Sequence, residues 1–125
     1  MNAVERAKEG YGRSSAPIRS ARATEYEVIA KISHKLRSAA IRRDTDFPAY
    51  ISALSDNARL WTTLAADVAQ GTNALPKDLR ARIFWLAEFT TQTTHKLMQG
   101  EGDVGILIEI NASILQGLHN RDSIS

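Results

Sequence analysis

The sequence predicts an all-α fold, a small helical bundle of about four helices behind a flexible N-terminal tail. Apolar residues recur at three- and four-residue steps through four separate segments. The three prolines, Pro17, Pro48 and Pro76, all fall outside the interiors of those segments, and the connections are short. Residues 1–20 are expected to be the flexible tail and residues 21–125 a single helical domain. The tail assignment rests on the stretch Gly10 to Pro17, which holds two glycines, two serines and a proline without apolar periodicity.

The first helix is expected from about Thr24 to Arg43. Thr24 and Glu27 have capping-box spacing, and Tyr26, Ile29, Ile32, Ser33, Leu36 and Ala40 share one face. Lys31, His34, Lys35 and Arg42 fall on the other side, and the cationic last turn suits the negative end of the helix dipole. The second helix opens near Pro48, which is tolerated in a first turn. Its stripe of Phe47, Ile51, Leu54, Ala58, Trp61, Ala65 and Val68 alternates steps of four and three, a coiled-coil-like seam. Gly71 is expected to stop it in the left-handed conformation.

Pro76 repeats the entry device for a third helix reaching about Met98. Leu79, Ile83, Leu86, Thr90, Thr93 and Leu97 form its stripe. At about 100° per residue, Trp85 and Phe89 lie on one flank of that stripe and Phe84 on the other. A helix apolar on more than one side needs more than one neighbour. The fourth helix, about Asp103 to His119, starts at an Asp N-cap and places Val104, Leu107, Ile110, Asn111, Ile114 and Leu118 on one face. The β-branched content of Ile106 to Ile110 also suits a strand, but a lone strand has nothing to pair with.

Composition removes whole classes of chemistry. The 125 residues include no cysteine, which excludes disulfides, thiolate metal sites and a cysteine nucleophile. No apolar run approaches the roughly 20 residues that span a bilayer, and Met1 to Gly10 holds no secretory h-region. The chain is therefore expected to be soluble and cytoplasmic. The net charge of +2 conceals a split: residues 1–43 carry ten Lys/Arg and four Glu, a balance of +6, and the remainder carries six basic and ten acidic residues, a balance of −4. That split reads as internal complementarity or a partner rim more than as a nucleic-acid site.

Gly100-Glu101-Gly102-Asp103-Val104-Gly105 fits G-x-G-x-x-G, but a long helix precedes it and two acids adjoin it, so it reads as a helix–helix turn. His34, His95 and His119 sit on different helices without metal-ligand spacing. No catalytic carboxylate pair and no Gly-x-Ser-x-Gly elbow are present. No catalytic residue, metal or cofactor is therefore expected, and the chain is read as a non-enzyme. The basic residues of the first helix lack an interleaved aromatic platform for stacking on bases. Thr90 to Thr94, beside Trp85 and Phe89, fits either a core with a polar layer or an open groove for a partner's amphipathic helix.

Thr24-Glu25-Tyr26-Glu27, Asp56-Asn57-Ala58-Arg59-Leu60-Trp61, Asn73-Ala74-Leu75-Pro76-Lys77-Asp78-Leu79-Arg80, Leu86-Ala87-Glu88-Phe89-Thr90 and Leu107-Ile108-Glu109-Ile110-Asn111 come in order over about residues 18–119. Together they resemble the FlaF family of flagellar biosynthesis regulators. The resemblance implies a small cytoplasmic helical protein that binds flagellin as a secretion chaperone or assembly factor and acts with FlbT, a companion regulator of flagellin messenger translation. It brings no catalytic motif. With the wide apolar surface of the third helix, it points to Trp61, Trp85, Phe89 and Leu97 as groove contacts for a terminal amphipathic helix of flagellin, with Arg80 and Arg82 at the rim. Trp61 also lies on the cleanest internal seam. The alternatives are direct contact with flagellin messenger through Arg19, Arg22, Lys31, Lys35, Arg37, Arg42 and Arg43, or action only through FlbT.

Overall fold

Pro17 opens the first helix, where its preset φ and missing N–H cost nothing. The computed structural model describes the backbone of residues 17–124 and the side chains of residues 26–118. Helix α1 spans Pro17–Ile41, α2 Phe47–Ala69, α3 Lys77–Met98 and α4 Gly105–Ile124, with no strand among the described residues. The expected start at Thr24 is thus moved seven residues earlier, and Thr24 and Glu27 lie inside α1. A Thr/Glu pair three apart suits a helix interior as well as a cap. Of the tail expected over residues 1–20, residues 1–16 lie outside the described residues and Pro17 onward is helical.

After Ile41 the chain turns on Arg42, whose carbonyl accepts from Thr45 N–H at 3.0 Å and Asp46 N–H at 2.7 Å. Asp46 then caps α2, its carboxylate accepting from Ala49 N–H at 3.2 Å, with Pro48 in the first turn. At the far end of α2 the expected glycine stop is corrected, because Gly71 has no positive φ. Asn73 supplies the device instead. Its amide donates to the Asp67 carbonyl at 3.1 Å and its oxygen accepts from Leu75 N–H at 3.0 Å, which ties the end of α2 to the entry of α3.

Helix α3 ends in a Schellman motif: Glu101 N–H donates to Lys96 O at 2.9 Å and Gly100 N–H to Leu97 O at 3.0 Å, with Gly100 at φ 84°. Asp103 accepts from Gly105 N–H at 2.9 Å and opens α4. The glycines of the G-x-G-x-x-G run thus serve a helix–helix turn.

Consecutive helices pack side by side, α2 against α3 most extensively, and α4 returns to pack on α1. The four helices form a ring in which α3 and α4 make the sparsest contact, while α2 and α4 face each other across the diagonal. The interior holds two apolar clusters. One contains Ile29, Leu60, Trp61, Ile83, Leu86, Ile110 and Ile114; the other contains Leu36, Tyr50, Leu54, Leu97, Val104 and Leu107. Fully buried aliphatic side chains such as Leu36, Leu54 and Leu107 each contribute roughly 1.5–3 kcal/mol.

Each helix also buries polar side chains: Ser33 in α1, Asn57 in α2, Thr90 and Thr94 in α3, and Asn111 in α4. Trp61 Nε1 donates to Asn111 Oδ1 at 2.8 Å, and Asn111 Nδ2 donates to Asn57 Oδ1 at 2.7 Å across the diagonal. The buried face of α2 accordingly centres on Tyr50, Leu54, Asn57 and Trp61, and Phe47, expected on the seam, is 55% exposed. An apolar-only count drifts off a face whose middle residue is an amide.

Candidate functional site

Helix α3 turns one stripe inward and leaves two flanks open. Arg82, Trp85 and Phe89 follow one another at three- and four-residue spacing, so they share a flank. Arg82 Nη2 reaches Ser113 Oγ of α4 at 3.4 Å, which places that flank along the sparse α3/α4 edge. Trp85 is 62% exposed and stacks on Phe89, with ring centroids 5.6 Å apart and planes 14° apart. Phe89 is half-buried against the cluster that contains Trp61. The pair is therefore anchored at one end and presented to solvent at the other.

The opposite flank faces α2. Phe84, 52% exposed, lines a notch of about 380 Å³ with Val68, Ala69, Lys77 and Arg80. Arg80 Nη1 donates to the Gln70 carbonyl at 3.5 Å, and its buried Nε has no partner among the described residues. The exposed aromatics of α3 thus divide between two edges, as the angular positions of residues 84, 85 and 89 predicted.

The six expected contact residues separate into two sets. Trp85, Phe89, Arg80 and Arg82 lie on the outer part of α3. Trp61 and Leu97 are interior, 0% and 5% exposed, and as contacts on an open face they are corrected. Trp61 is fixed by its bond to Asn111, and Leu97 closes the second apolar cluster beside the α3–α4 turn.

The threonine run follows the polar-layer reading at its inward positions. Thr90 and Thr94 are buried, and Thr94 Oγ1 donates back to Thr90 O at 2.7 Å. Thr90 Oγ1 has no hydrogen-bond partner among the described residues. Sequence reasoning missed Asn57 as an interior residue. Its signal was present, one helical turn before Trp61 and opposite an Asn on an otherwise apolar face of α4. Among the basic residues of α1 and the turn after it, Lys31, Lys35, Arg37, Arg42 and Arg43 are exposed, while the side chains of Arg19 and Arg22 lie outside the described residues. No helix among the described residues is long and apolar enough to cross a membrane.

Compared with known families, residues 7–118 match the family model described as flagellar protein FlaF. No curated protein and no solved structure matches the chain.

Proposed function

The chain belongs to the FlaF family of flagellar proteins, and from that premise we propose that it is a non-enzymatic flagellin-binding factor of the cytoplasm, a secretion chaperone that also helps control flagellin synthesis and filament assembly. The observation that carries this reading is the exposed Trp85, stacked on Phe89 along the most loosely packed edge of the ring. Large rigid aromatics that present area at little entropic cost are the usual anchors of protein interfaces.

An amphipathic helix with apolar residues at i, i+3, i+4 and i+7 fits such an edge. Before assembly, a flagellin terminal helix has an apolar face without its filament partner. Laid along α3 and α4, that face covers Trp85 and the exposed side of Phe89, and both partners lose solvent-exposed apolar area. Arg82 at the rim steers and sets register more than it adds affinity.

Calorimetry with purified flagellin tests this. The folded wild type is expected to bind, and Trp85→Ala to weaken binding at least about tenfold. No heat from the folded wild type refutes the reading. Repeating the titration with and without FlbT separates direct binding from binding by way of that companion. A flagellin-messenger fragment that shifts in its place, with strong salt dependence, favours the RNA-level alternative.

A further inference from the structure

The side of the ring opposite the α3/α4 edge carries a feature that the flagellin reading does not use. Between α1 and α2 lies an open cleft of about 620 Å³. One wall follows a single stripe of α1, Lys31, Lys35 and Ser38 with His34 beside them, continued by Arg42 just past the helix end, at steps of four, three and four. The facing wall is Ala49, Ser52 and Asp56 of α2, and Ile32 and Ala39 add apolar surface. Asp56 is the one acid in this lining, and its carboxylate pairs with the Lys35 ammonium. Among the described residues neither Lys31 nor Arg42 has a carboxylate partner; the Arg42 guanidinium folds back on Ser38 at 3.4–3.5 Å. Three cations against one carboxylate leave the cleft positive.

We infer that this cleft docks an acidic amphipathic helix of a second partner protein. Its aliphatic face lies on Ile32, Ala39 and Ala49, and its carboxylates meet Lys31 and Arg42. Those two residues are eleven positions apart, with Arg42 directly after the last residue of α1, which is about 16 Å or three turns of helix. A helix running alongside therefore matches them with two acids about three turns apart. The lining chemistry favours a peptide over a nucleic acid. No Phe, Tyr or Trp lines the cleft, the His34 imidazole is its one ring, the apolar floor of Ile32, Ala39 and Ala49 suits an aliphatic helix face, and Asp56 repels phosphate. Because the two edges are opposite in the ring, both can be occupied together, which makes the protein a bridge between two partners.

The test is fluorescence anisotropy on the full chain. The probes are a labelled synthetic helix of about five turns carrying Leu on one face and Glu on its flanks, a scrambled peptide of the same composition, and single-stranded oligouridine. The amphipathic peptide is expected to bind, and its affinity to fall as salt rises. Lys31→Glu and Arg42→Glu should each weaken it roughly fivefold or more, and Asp56→Asn should tighten it by about threefold. Arg37→Glu and Lys96→Glu make the same charge change outside the cleft and should stay within about twofold. Equal losses from all four reversals, equal binding of the scrambled peptide, or no binding overturns the proposal. So does tighter binding of oligouridine with the same variant pattern, which makes the cleft a nucleic-acid site. Circular dichroism checks each variant's fold, and Lys31→Gln replaces any reversal that unfolds. No flagellin enters this assay, so its outcome is independent of the α3/α4 reading.

Discussion

Truncating Asn111 to alanine removes two buried hydrogen bonds in one step. The Trp61 indole N–H loses an acceptor at 2.8 Å and the Asn57 carbonyl oxygen a donor at 2.7 Å, and all three residues are 0% exposed. Water cannot reach the abandoned groups without opening the core. Each unsatisfied buried group costs about 1–3 kcal/mol, and the lost amide volume adds a cavity cost. Asn111→Ala should therefore destabilise the fold by roughly 3–6 kcal/mol, a large part of the stability of a domain of this size. Trp61→Phe removes the indole donor and leaves one acceptor lone pair of Asn111 idle, so it should cost less, about 1–3 kcal/mol. Urea unfolding followed by circular dichroism measures both, and the double variant closes a cycle in which the pair couples by about 1 kcal/mol or more. An Asn111→Ala cost below about 1 kcal/mol, or additive effects, refutes the view that this network holds α4 to α2.

Three further substitutions check the local physics. Asn73→Ala loses the bonds to Asp67 O and Leu75 N–H, and should cost about 1–2 kcal/mol in the same unfolding assay. Gly100→Ala meets no atom within 4 Å, but φ 84° strains any L side chain, so it should destabilise by about 1 kcal/mol. Gly71→Ala has equal space without positive φ and should be neutral or stabilising by up to about 1 kcal/mol; a loss at Gly71 matching that at Gly100 contradicts the assignment. Thr90→Val replaces a buried hydroxyl that has no partner among the described residues with a methyl of similar size, and its melting temperature should hold or rise.

Periodicity alone was enough for α4, where Val104, Leu107, Ile110, Asn111, Ile114 and Leu118 are all buried. Local chemistry was enough for the turn before α4, where Gly100 and Asp103 act through bonds to their own neighbours. It failed where the deciding contact is distant in sequence. Asn57 is acceptable inside only because Asn111 comes to it from another helix, so the centre of α2 was misplaced. Gly71 was given a stop that Asn73 performs. At the candidate site, angular position separated Trp85 and Phe89 from Phe84. Spacing had put Trp61 on the seam of α2 and Leu97 on the stripe of α3, where both are buried; they were expected as groove contacts from the resemblance and the wide apolar surface of α3 instead. Which neighbouring helix pair packs loosely is a property of the assembled ring.

Ring closure through α4 also orders events during synthesis. The ribosome releases α1, α2 and α3 first, and together they carry Trp61 and Asn57 without the residue that bonds the indole N–H of one and the carbonyl oxygen of the other. Without Asn111, α1 to α3 leave that indole N–H and that amide oxygen without their native partner, beside the apolar side chains that α4 covers. The native state is reached only when the last helix docks on α1. A chain that lacks α4 therefore leaves apolar surface and two buried polar groups open, the kind of exposure that favours aggregation.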